Sequence, residues 1–83
     1  MMQGLEFSKQ AIIDYTALKK NIVTNQAVFV VIEKENRCIL RIMNTSEEAE
    51  KEIDNLQGHY RLGDLHFDVI GFKDISDKLQ YLN

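Results

Sequence analysis

Ala11, Tyr15, Leu18 and Ile22 follow one another at spacings of four, three and four, which places them on one stripe of an amphipathic helix. Ser8 stands just ahead of that stripe, where its hydroxyl can accept a hydrogen bond from an orphan amide of the first turn. Phe7 before it is placed to pack on Ile12 as a hydrophobic staple. Lys9, Asp14, Lys19, Lys20 and Asn21 fall largely off the stripe, and Thr24, Asn25 and Gln26 supply polar residues at its end, so the spacing predicts a helix over residues 8–24. The rhythm then changes. Residues 27–32 are almost wholly apolar, β-branched and too few for a buried helix, the pattern of a central strand covered on both faces. A polar turn, Glu33-Lys34-Glu35-Asn36, leads into a second strand over residues 37–43, giving a β-hairpin in which Asn36 is the residue best able to take a positive φ. Pairing Glu33 with Cys38 puts Phe29, Val31, Cys38, Leu40 and Ile42 on one face. It puts Val28, Val30, Ile32, Ile39, Arg41 and Met43 on the other.

Thr45-Ser46-Glu47-Glu48 has the form of a capping box, with two carboxylates at the positive end of the helix dipole. Ala49, Ile53 and Leu56 form the stripe of the helix it opens, and Gly58 is placed to stop it as a left-handed residue. After a tight turn at Gly63-Asp64, Leu65, Phe67 and Val69 alternate with His66, Asp68 and Ile70 in a third strand. Asp74 can cap a short C-terminal helix carrying Ile75, Leu79 and Leu82.

The order is α-β-β-α-β-α, an α+β domain spanning residues 1–83. A hairpin followed by a crossover helix and a third strand parallel to the second is a split βαβ unit, and a right-handed crossover sets the strand order 2-1-3. With the first two helices on the Phe29, Leu40, Phe67 face, a two-layer sandwich results. That arrangement leaves the second strand as an open edge and the second sheet face bare. Either the C-terminal helix or another chain must cover an apolar face of this kind. The expectation carried forward is a partner protein or a second copy of the chain, docking on Val30, Ile32, Ile39, Arg41 and Met43.

Composition changes this picture in three ways. A chain of 83 residues that is 45% hydrophobic and 28% charged is an ordinary single folded domain. The lone cysteine, Cys38, allows no intramolecular disulfide, and neither the opening residues nor any apolar run has the form of a leader or a membrane span, so a cytoplasmic protein is expected. Ten basic residues against 13 acidic give a net charge of −3, which disfavours broad binding to nucleic-acid phosphate. The acidity sits on the second helix, where Glu47, Glu48, Glu50, Glu52 and Asp54 face only Lys51. The absence of proline and the abundance of Ile, Lys and Asn suggest a bacterial or phage coding bias.

Candidate chemistry is sparse. Alternation in a strand aims Asp64, His66 and Asp68 from one face, but Asp-x-His-x-Asp is not a specific metal signature, and solvated strand residues are the expected reading. Cys38 would need His59 or His66 beside it to act as a nucleophile, and nothing in the spacing brings them together. The glycines at 4, 58, 63 and 71 make no phosphate cradle. Neither an enzyme nor a cofactor is expected. A small nucleic-acid-associated regulator using Lys34, Arg37 and Arg41, with Lys19, Lys20 and Arg61, is the alternative to a protein-interaction module, but Phe29 and Phe67 point to the expected core rather than to stacked bases.

Overall fold

The computed structural model describes residues 6–21 and 26–80. Along the chain it forms β1 (Glu6–Phe7), α1 (Lys9–Lys19), β2 (Ala27–Glu33), β3 (Cys38–Met43), α2 (Ser46–Leu56) with a 3-10 turn over Gln57–His59, β4 (Leu65–Gly71) and α3 (Phe72–Gln80). The strands make one four-stranded mixed sheet in the order β1-β3-β2-β4. The α+β class and the split βαβ unit are as the sequence predicts, since β3 and β4 both run antiparallel to β2 and lie on either side of it. The expected three-stranded sheet is corrected by β1, which pairs parallel to β3 through Glu6 with Cys38 and Phe7 with Ile39. A two-residue strand carries no readable alternation, and Phe7 is spent on this pairing while Ile12, its expected staple partner, stays 43% exposed.

The face assignment is corrected from Arg41 onward, by a single inserted residue. Glu33 pairs with Cys38 and Ile32 with Ile39, but Val31 pairs with Arg41, so Leu40 is the extra residue of a bulge. Beyond it every side chain of β3 changes sides. Ile42 joins Val30, whereas Arg41 and Met43 join Val31 and Phe29. Val28, Val30, Ile32, Ile39 and Ile42 thereby form one continuous apolar face. They are buried with Ala11 of α1 and with Phe72 and Ile75 of α3, and Tyr15, Leu18 and Leu79 pack against them. Fully burying each such aliphatic side chain stabilises the fold by about 1.5–3 kcal/mol. The Tyr15 ring stacks on Phe72 at 4.9 Å, and its hydroxyl lies 2.8 Å from the Ser76 hydroxyl, which joins the two helices.

Helices therefore cover both faces, and the expected two-layer sandwich does not form. α1 and α3 share one face, while α2 alone lies over Phe29, Val31, Phe67 and Leu65 on the other. β2 is the doubly covered central strand its composition predicts, with Val28, Val30 and Val31 wholly inaccessible. The capping box of α2 is present in both directions. Four local details differ, the first being that α3 begins at Phe72, which puts Asp74 inside its first turn and not ahead of it as a cap. α1 ends at Lys19, and the expected continuation through Ile22, Thr24 and Asn25 lies outside the described residues, as does Leu82. α2 passes into a 3-10 turn at Gln57 without a left-handed Gly58; the glycine with positive φ is Gly63, at 86°, in the turn before β4. In the hairpin the left-handed residue is Arg37, with φ 53°, and not Asn36. The Glu33 carboxylate holds the amides of Glu35 and Asn36 at 2.8 and 3.0 Å, which fixes the first part of the turn and passes the reversal to the following residue.

Candidate functional site

A sheet exposes unpaired main-chain groups only at its edges, and the two edges here are finished differently. Along β3 the groups are taken up by the chain's own N-terminal part. The amides of Glu6 and Ser8 donate to the carbonyls of Arg37 and Ile39 at 3.0 and 2.9 Å, and the Ser8 hydroxyl donates to the Leu40 carbonyl at 2.9 Å while accepting from the Ala11 amide. One side chain thus caps α1 and closes a gap in the sheet edge. Asp14, the only acidic residue of α1, accepts the Ile42 amide at 3.0 Å, continuing the seal where β1 has ended.

The same carboxylate holds Arg41, whose Nε donates to Asp14 at 2.7 Å and whose Nη1 donates to Glu52 of α2 at 2.8 Å. The hydrogen bond donated to Asp14 and the charge of both carboxylates raise the Arg41 pKa against the cost of its partial burial. Arg41 is therefore a clamp between α1 and α2 across the β3 edge. Of the residues expected to dock a partner, Val30, Ile32 and Ile39 are core under α1 and α3, Arg41 is this clamp, and Met43 is half-buried on the face of α2. The C-terminal helix and α1 cover the face that the sequence reading left to another chain.

β4 is the other edge, and on its far side no strand pairs with it among the described residues. Its ladder with β2 is bracketed by two main-chain bonds, Lys34 amide to Asp64 carbonyl at 2.8 Å and Phe72 amide to Gln26 carbonyl at 2.9 Å. In an antiparallel ladder the bonded positions alternate. Asp64, His66, Asp68 and Ile70 consequently turn their amides and carbonyls toward β2, and Leu65, Phe67, Val69 and Gly71 turn theirs outward. The side chains on the outward-bonding residues are apolar: Val69 is 58% exposed, and Phe67, half-buried, meets Phe29 edge-to-face at 5.8 Å. No strand claims this edge among the described residues, and it lies in an element the sequence identifies correctly without showing that it is terminal.

The remaining candidates are dispersed. His66 and Asp68 share a face of β4, with Nε2 and Oδ2 3.6 Å apart, and His66 Nδ1 is a buried atom without a hydrogen bond among the described residues. Asp64 does not join them; its carboxylate gathers with Glu33 and Glu35 instead. Glu33, almost fully buried, is occupied by the hairpin amides it caps. Burial pushes the Cys38 thiol pKa up, and the Glu6 and Glu33 carboxylates push it further, the opposite of what a nucleophile requires. Lys34 and Arg37 line a shallow trough of about 250 Å³ with Ile32, His66, Asp68 and Ile70, but Arg41 is held away from them by Asp14 and Glu52, so the expected basic trio is divided. No helix among the described residues is long and apolar enough to cross a membrane. No protein-family model, curated protein or solved structure matches the chain.

Proposed function

We propose that this chain is a small protein-interaction module rather than an enzyme, and that its docking element is the open edge of β4. The observation that carries the reading is the outward-facing main chain of Leu65, Phe67 and Val69, with an exposed apolar side chain at Val69. An extended segment of another chain added there gains the main-chain bonds of a fifth strand, and the side chains alternating along it select the partner. The contrast with β3 supports the assignment, because the same fold closes that edge with a short strand, a hydroxyl and a carboxylate. Natural sheets blunt their edges unless an edge is used.

The test places a photo-reactive benzoylphenylalanine at Val69 and, as a control, at exposed Glu50 on the outer side of α2, in cells of the source organism. The reading expects a discrete covalent adduct from position 69 and none from position 50. Equal labelling at both positions, or none at 69, would overturn it.

A further inference from the structure

Resting on the reading of β4 as a docking edge, the geometry points to a particular occupant: a second copy of β4, paired antiparallel about a two-fold axis at Phe67. The parity of the β2–β4 ladder sets the first restriction. Only residues 65, 67, 69 and 71 have outward main-chain groups, so a symmetric pair must match odd residues with odd residues. Charge sets the second. Centring the axis on Phe67 places His66 of each copy opposite Asp68 of the other, twice per dimer, in the non-hydrogen-bonded positions where side chains approach most closely. Centring it on Asp68 would set the two Asp68 carboxylates against each other. A centre at His66 would oppose the two histidines, and one at Val69 would leave Asp68 against Ile70. Of these centres only Phe67 sets a histidine against a carboxylate; a centre at Leu65 would set His66 against Asp64, but it would pair Phe67 with Gly63 in the turn before β4 and run the ladder off the strand.

The apolar face agrees with this choice. Cross-strand neighbours lie on one face of a sheet, so the axis at Phe67 brings the two half-buried Phe67 rings together and sets each exposed Val69 opposite the buried Leu65 of the second copy. Each Phe67 already meets Phe29 edge-to-face, and four rings then line the junction. The result is an eight-stranded sheet running through two copies, with β3 and β1 at its outer ends.

The test uses two variants, His66→Asp at a half-buried position and Asp68→Lys at an exposed one, studied by light scattering coupled to size-exclusion chromatography at graded concentrations. The unaltered chain is expected to show a mass rising toward that of a dimer. Alone, His66→Asp sets two carboxylates opposite each other at both pairs and Asp68→Lys leaves His66 without a carboxylate opposite it, and each variant dimerises about tenfold more weakly than the unaltered chain. Mixed in equal amounts, the two variants set the new carboxylate of one against the new ammonium of the other, return Asp68 to a place opposite His66, and recover the dimer. That recovery also shows that each variant folds. A monomer at every concentration for the unaltered chain, or a mixture no better than its components, would overturn the proposal. A monomer that still gives an adduct of foreign mass from position 69 would overturn self-pairing and leave the docking edge standing, whereas no adduct at 69 would remove the docking edge itself.

Discussion

The two edges of this sheet present the same chemical problem and opposite solutions. β3 has its outward groups met by β1, by the Ser8 hydroxyl and by the Asp14 carboxylate, and the carboxylate is in turn fixed by Arg41. β4 has its outward groups at Leu65, Phe67 and Val69 facing away from the domain, with Val69 exposed beside them. With β4 as the proposed docking edge, the surface offered to a partner is not the most apolar face of the domain. That face is claimed by the chain's own helices. What is left for a partner is main chain, and the side chains beside it decide which partner fits.

Removing Asp14 is the strongest way to break the contrast. Asp14→Ala strips Arg41 of its shortest ion pair and leaves the Ile42 amide without its acceptor. A loss of about 2–4 kcal/mol in urea unfolding is expected, as for breaking a largely buried, hydrogen-bonded charge pair. Arg41→Glu should act in the same direction, because the new carboxylate faces Asp14 and Glu52. A change in association with no change in melting temperature would instead make Arg41 a docking residue. Ser8→Ala should cost about 1–2 kcal/mol, since it removes both the cap of α1 and the bond to the Leu40 carbonyl.

On the other edge the expected effects on stability are small. Val69→Pro removes an outward N–H and no bond to β2, and edge strands tolerate proline at such positions. The monomer should therefore lose less than about 1 kcal/mol, while cross-linking and dimerisation at β4 disappear. A collapse in stability would show that Val69 is needed within the domain. The smallest effect concerns Cys38. Its thiol pKa is raised in the folded state, so the folded chain holds that proton more tightly than the unfolded one. The sign follows: this contribution to stability is complete below the pH at which a free thiol ionises and declines as pH rises through the folded value. Iodoacetamide should label native Cys38 more slowly than the unfolded chain at the same mildly alkaline pH. Equal rates would contradict the burial and carboxylate neighbours assigned to it.

Much of the architecture is legible in the residues themselves. The Thr45–Glu48 capping box, the β-branched run of β2 and the alternation of β4 each rest on local chemistry that the surrounding fold does not override. The bulge at Leu40 is not legible, because an inserted residue in an apolar strand leaves the composition unchanged while moving Ile42 to the opposite face. That one residue misplaces Arg41 and Met43, and with them the expected docking face. β1 is hidden for another reason: Glu6 and Phe7 are too few to show a period, and their pairing is fixed by where α1 docks. Once β1 is missed, the open edge is assigned to β3 instead of β4. A signal was available in Asp14, an acid set among the apolar residues of α1, but its acceptor role depends on an amide 28 residues away.

Residue-resolved hydrogen exchange, followed at rising protein concentration, tests the central contrast most directly. The Ile42 amide, held by Asp14, should be protected at every concentration, whereas the Phe67 and Val69 amides should exchange freely in dilute solution and gain protection as the chain concentrates. Phe67 and Val69 amides that exchange at one unchanged rate across the series, or that are already protected in the dilute monomer, would contradict an open β4 edge that closes on a second copy.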